Sequence, residues 1–204
     1  DGDNIRDKMI NGVKIPFSFK SLGVNSAILS AHKFGGPKGI GAILLKSKSS
    51  LDSELVVGGQ ESGYRPGTEN LIGVAGLGAA IKFSKKQIDD GVWEEVKNLR
   101  DYLEDEVVNT CNRTKLIGKN MKRLPNTSFM VTPGWKGETQ VIQMDLNGFA
   151  ISSGSACSSG KVRKSSVLEL MGYNPDYLGC GVRVSIGPNT TKIQTQAFVK
   201  AWSE

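Results

Sequence analysis

The chain has 204 residues, 38% hydrophobic and 23% charged, enough for one good-sized core or two small domains. Its net charge of +6 is spread along the sequence and mixed with acids, with no arginine-rich arm, so a solvated basic surface is expected and no nucleic-acid partner. Three cysteines without a CxxC pair, and the single histidine His32, argue against a disulfide framework and a zinc site and fit a reducing, cytoplasmic setting.

No apolar run approaches the ~18 residues of a membrane span, and no signal peptide is visible. The opening DGDNIRD, without a methionine, looks like that of a fragment, a processed product or the ordered part of something longer. In chain order, residues 25–30 (NSAILS) and 41–46 (GAILLK) read as two short strands split by the glycine-rich AHKFGGPKGI, a hairpin with Lys33 where the first strand ends. A second polar, glycine-rich stretch covers 56–70. A helix follows over about 69–87, with Leu71, Val74, Leu77 and Ile81 as its apolar stripe and Ala75, Gly76, Gly78, Ala79 and Ala80 permitting close packing.

Gly91 is a hinge or C-cap, and the sequence changes character there. Residues 92–110 form a charged amphipathic helix with Val96, Leu99, Leu103, Val107 and Val108 apolar. Short strands follow near 126–131 and 151–153, a helix over about 165–171, a strand over 181–186 (GVRVSI) and a terminal helix over 191–202. This reads as the end of one α/β domain, 1–90, followed by a small α+β domain, 91–204.

Four constellations bear chemistry. In Ser30-Ala31-His32-Lys33-Phe34-Gly35-Gly36-Pro37-Lys38-Gly39-Ile40-Gly41, a lysine at a strand end could present its amine to a cleft, or merely decorate a glycine turn. Arg65-Pro66-Gly67-Thr68-Glu69-Asn70 heads a helix, where hydroxyls and N–H groups suit a phosphate; an N-cap with a turn is the plainer alternative. Ser152-Ser153-Gly154-Ser155-Ala156-Cys157-Ser158-Ser159-Gly160 leaves Cys157 uncovered among small residues, as a swinging thiolate needs or as a bystander tolerates. Arg183, between valines on a strand, is suited to a carboxylate or to a buried ion pair. Cys111 and Cys180 have no such setting and read as structural.

The segment S-A-H-K-x-x-G-P-K-G-x-G resembles the cofactor-lysine segment of the class V aminotransferase superfamily, and S-S-G-S-A-C resembles the sulfur-carrying loop of the NifS/IscS-type (group I) cysteine desulfurases. The resemblance runs from about Asp7 to the C-terminus. It implies an α/β fold, the C-terminal part of a fold-type I pyridoxal-phosphate transferase, with the family about twice as long as this chain. It further implies that Lys33 holds pyridoxal 5'-phosphate, that Ser30 and His32 bind its phosphate, and that Asp7 pairs with its ring nitrogen. Thr68 would reach the cofactor of a partner subunit in a homodimer, Arg183 would bind the carboxylate of L-cysteine, and Cys157 would take its sulfur. A sulfur acceptor such as an iron–sulfur scaffold protein is implied as the next partner. The chain departs from the family at Ile10, which stands where a ring-contacting glutamine is expected. Another class V activity, such as that of an aminotransferase or selenocysteine lyase, and a non-catalytic truncated chain remain the alternatives. The isolated 204-residue chain is expected to be inactive.

Overall fold

The computed structural model describes residues 14–16, 18–46, 58–153 and 165–204. The chain divides into two units, Asp1–Gly91 and Val92–Glu204.

In the first unit, β1 (Ser26–Ser30) and β2 (Gly41–Leu45) pair antiparallel, with Ser26 opposite Leu45 and Ser30 opposite Gly41. Both strands are rich in Ile, Leu and Ala. Because side chains alternate between faces, Ile28 lies opposite Ile43, and these two are 79% and 55% exposed. The strands are joined by a 3-10 turn, Ala31–Phe34, closed by Gly35 in the left-handed region at φ 86°.

Helix α1 (Leu71–Asp89) starts at Asn70, whose side chain accepts the Gly73 N–H at 2.9 Å. It stops before Gly91, which takes φ 76° and donates its N–H to Ile88 at 3.1 Å. The apolar stripe expected for this helix is corrected by the structure. Of Leu71, Val74, Leu77 and Ile81 only Leu77 is buried, and the enclosed face is Gly73, Leu77, Ala80 and Ser84. The reason is steric. That face carries the turn after β1, where a Cβ on Gly76 would stand 2.5 Å from Pro37 Cγ, and one on Gly36 would stand 2.8 Å from Ala31 Cβ. At Gly76 and Gly36 a side chain has no room, while Leu77, next along the helix from Gly76, fits.

The second unit is a four-stranded antiparallel sheet ordered β3-β4-β6-β5, from β3 (Lys115–Leu116), β4 (Thr127–Val131), β5 (Ser152–Ser153) and β6 (Gly181–Ser185). Its helices are α2 (Val92–Thr110), α3 (Gly137–Leu146), α4 (Ser166–Leu170) and α5 (Lys192–Ser203). The core gathers Leu103 and Val107 of α2, Met130 of β4, Met144 of α3, Val182 and Val184 of β6, and Phe198 and Trp202 of α5. Each such side chain contributes about 1.5–3 kcal/mol on leaving water.

Helix α2 buries Val96, Leu103 and Val107, but on the same face it also buries Arg100 and Glu104. Helix α5 opens with a reciprocal cap between Thr191 and Gln194. Two elements, β3 and α3, are absent from the sequence expectation. No described helix is long and apolar enough to cross a membrane.

Candidate active site

In the first unit the chemistry gathers where β1 ends. Ser30 is still extended (φ −121°, ψ 114°), and the chain then tightens into the 3-10 turn bearing His32 and Lys33. This brings Ser30 Oγ and His32 Nδ1 to 3.0 Å, sharing one hydrogen bond. With Nδ1 so engaged, Nε2 is the ring atom left for a ligand. Lys33 is exposed and makes no ion pair or hydrogen bond among the described residues. The backbone beneath it is firmly held. Ala31 is fully buried, its N–H reaches Ile40 O at 3.1 Å, its carbonyl accepts from Gly36 N–H at 2.9 Å, and Ser84 Oγ reaches Phe34 O at 3.5 Å.

This donor set fits pyridoxal phosphate. An amine without a partner suits an aldehyde, and a hydroxyl with an imidazole beside it suits a phosphate. No carboxylate among the described residues is paired with Lys33 to compete for the amine.

Thr68 lies two residues ahead of the cap of α1 and is exposed, with no hydrogen-bond partner for its hydroxyl among the described residues. The capping role belongs to Asn70, so the plainer reading of this motif, an N-cap, applies to a different residue from Thr68. Arg65 turns back on its own segment, donating to Gly67 O at 3.2 Å.

In the second unit Arg183 sits on β6, opposite Phe129 of β4 on one side and Ser152 of β5 on the other. Its neighbours Val182 and Val184 point into the core, which sends the arginine to the other face, partly buried. Arg183 Nη2 donates to Ser152 Oγ at 3.4 Å, and no carboxylate pairs with the guanidinium among the described residues. The buried ion pair that would have made Arg183 purely structural is not found there.

The start of β6 is fixed from α3. Gly137 N–H reaches Gly179 O at 2.9 Å, and Gln140 Nε2 donates to Cys180 O at 2.9 Å and to Trp135 O at 2.6 Å. Gln140 is completely buried, and its Oε1 finds no partner among the described residues. Sequence reasoning missed this residue, because a glutamine within GETQVIQ gives the signature of a solvent-facing position. Gly181 leaves space for Phe129, since a Cβ there would lie 2.6 Å from the ring.

The structure therefore brings Ser30, His32 and Lys33 together in one turn and places Arg183 beside Ser152 in the other unit. Asp7 and Cys157, both expected at the site, lie outside the described residues. Of the two remaining cysteines, Cys180 is buried beside Val131, Leu168 and Leu178, and Cys111 packs on the main core, as structural thiols do.

Comparison with known proteins adds a family. Residues 7–198 match the family described as aminotransferase class-V. A cysteine desulfurase IscS of Dictyoglomus turgidum is 35% identical over 178 residues, covering 87% of this chain and 45% of that protein. A cysteine desulfurase of Nostoc is 34% identical over 191 residues, 94% of this chain and 48% of its own length. The solved structure of a NifS-like protein from Rickettsia africae superposes with a TM-score of 0.80 at 30% identity, covering 93% of this chain and 49% of that one. The chain thus spans about half the length of the curated relatives it matches. Its fold is α/β, part of a fold-type I pyridoxal-phosphate transferase. With residues 7–198 of its 204 matched, the chain belongs to the aminotransferase class-V family.

Proposed function

We propose that the protein carrying this chain is a pyridoxal-5'-phosphate-dependent cysteine desulfurase, moving sulfur from L-cysteine onto Cys157 and leaving L-alanine. The observation that carries this reading is the Lys33 amine, unpaired among the described residues and next in sequence to the Ser30–His32 pair, in a chain of the class V family. The names of its relatives supply the activity.

In this reading Lys33 holds the cofactor, Ser30 and His32 hold its phosphate, and Asp7 faces its ring nitrogen. Thr68 serves the phosphate of a second subunit, which makes the working protein a homodimer. Bound pyridoxal phosphate supplies an electron sink for negative charge at the substrate α-carbon. Arg183 fixes the substrate carboxylate through a two-point contact, and Lys33 moves the proton at that α-carbon. The Cys157 thiolate attacks the substrate sulfur. The carbon–sulfur bond breaks with its electron pair left on the substrate carbon, which takes up a proton to give L-alanine, and Cys157 keeps a persulfide. A sulfur acceptor, for which an iron–sulfur scaffold protein is suited, then collects the outer sulfur. A thiolate of this kind works in a reducing compartment, and we assign the protein to the cytoplasm.

The test is a single turnover with L-cysteine in the intact, cofactor-loaded protein. Cys157→Ala should abolish the protein persulfide while leaving cofactor absorbance unchanged. Turnover that survives the substitution would instead identify an aminotransferase or a selenocysteine lyase.

A further inference from the structure

We propose that Ser152 is a positioning residue for Arg183, holding the guanidinium ready for the substrate carboxylate; this rests on the role given to Arg183 above. The two residues stand opposite each other across the β5–β6 ladder, and Arg183 Nη2 donates to Ser152 Oγ at 3.4 Å. Side chains opposite one another in an antiparallel pair share a face of the sheet. Phe129, opposite Arg183 on β4, occupies the other flank. The Phe129 ring reaches over Gly181, so the hydroxyl of Ser152 is the polar neighbour the ladder sets beside the guanidinium.

An arginine fork carries five N–H donors and a full charge. Among the described residues the Ser152 hydroxyl is the one hydrogen-bond partner of the Arg183 guanidinium. That bond is neutral at its acceptor and, at 3.4 Å, longer than the usual range of roughly 2.7–3.2 Å, so it leaves the charge uncompensated. An incoming carboxylate offers two parallel charge-assisted bonds, each roughly twice as strong as a neutral one. The hydroxyl therefore restricts the rotamers of a long side chain before the ligand arrives, and then does not compete with the ligand for it. An acidic residue at position 152 would do the reverse, occupying the fork as an internal carboxylate.

The experiment uses the intact, cofactor-loaded protein and four variants: Ser152→Ala, Ser152→Thr, Ser152→Asp and Arg183→Lys. Steady-state desulfuration of L-cysteine is measured together with the dissociation constant of L-alanine by calorimetry, a readout that needs no turnover. Ser152→Ala should raise KM and the L-alanine constant about fivefold, the loss of one ordinary hydrogen bond, with kcat within twofold. Ser152→Thr, which keeps the hydroxyl, should stay near wild type. Ser152→Asp should raise both constants by about 100-fold, as Arg183→Lys does.

If Arg183→Lys raises both constants while Ser152→Ala and Ser152→Asp leave them unchanged, Ser152 is merely a ladder residue and the inference fails alone. If Arg183→Lys changes neither constant, the assignment of Arg183 falls, and this inference falls with it. A fall in kcat at constant KM in Ser152→Ala would also overturn it. Unfolding midpoints of all four variants accompany the kinetics, and Ser152→Thr keeps the comparison valid should the aspartate variant fail to fold.

Discussion

Glu104 and Arg123 meet in a two-point contact, Nη1 to Oε1 at 2.7 Å and Nη2 to Oε2 at 2.6 Å, with the glutamate side chain 1% exposed. Ser128 Oγ also donates to the carboxylate, at 2.5 Å, and Arg123 Nη1 reaches Thr127 O at 3.0 Å. The pair thereby joins α2 to the start of β4. Removing one partner strands the other charge away from water. Glu104→Ala should cost about 3–5 kcal/mol, read as a fall in the urea midpoint, whereas replacing both residues with apolar ones of similar size should cost less. Equal losses in the single and double variants would show that the charge pair is not the cause.

Gln140 offers a second stability test. Its amide nitrogen serves the carbonyls of both Trp135 and Cys180. Gln140→Leu would remove this donor from both carbonyls, of which Cys180 O keeps the Thr132 N–H at 3.4 Å, and should destabilise the second unit by about 1–3 kcal/mol. Thermal unfolding followed by tryptophan fluorescence reports it, because Trp135 lies 4.9 Å from Trp202 in the adjoining core. An unchanged midpoint would mean that other donors replace the amide.

Gly76 tests the packing behind the lysine turn. Gly76→Val would drive a side chain into Pro37, which a Cβ alone already approaches to 2.5 Å. Overpacking of this kind costs about 1–3 kcal/mol. Because Pro37 lies just beyond the turn that bears Lys33, the variant should also weaken cofactor retention in the intact protein. Gly78→Ala on the same helix, where a Cβ meets nothing within 4 Å, is the matched control and should be neutral or slightly stabilising. Equal behaviour of the two variants would count against the clamp.

Ser30 and His32 test the phosphate reading. Ser30→Ala removes one hydroxyl and releases the imidazole from its 3.0 Å bond, so cofactor dissociation should rise more than a single lost donor accounts for, on the order of 10–100-fold. Equilibrium dialysis of the intact protein against pyridoxal phosphate measures it. A change below twofold would remove both residues from the phosphate site.

Local pattern made the hairpin legible, because two short apolar runs around a glycine turn have few other ways to satisfy their backbones. Helix α2 was legible to the residue from its apolar spacing, Gly91 marking its start. The face of α1 was not. Its sequence offers leucine and valine as an apparent stripe, yet the packed face is chosen by how near the Pro37 turn approaches, a tertiary fact that favours Gly73, Gly76 and Ala80. Helix α3 was hidden for a related reason. Its inward side holds Gln140 beside Met144, so hydrophobic periodicity never rises above the background. At the candidate site the lysine turn and Arg183 stood out as residue types in unusual settings. Ser152 did not, since its importance comes from register across the sheet, which a single strand cannot disclose.

The Ile28–Ile43 pair of the hairpin bears on how the 204-residue chain behaves on its own. Among the described residues the hairpin is a two-stranded ribbon, greasy on the side where these isoleucines stand and open along both outer edges. Such a ribbon recruits further strands. Concentrated solutions of the bare chain should therefore scatter light and bind amyloid dyes, and a charge introduced by Ile28→Lys should keep them clear.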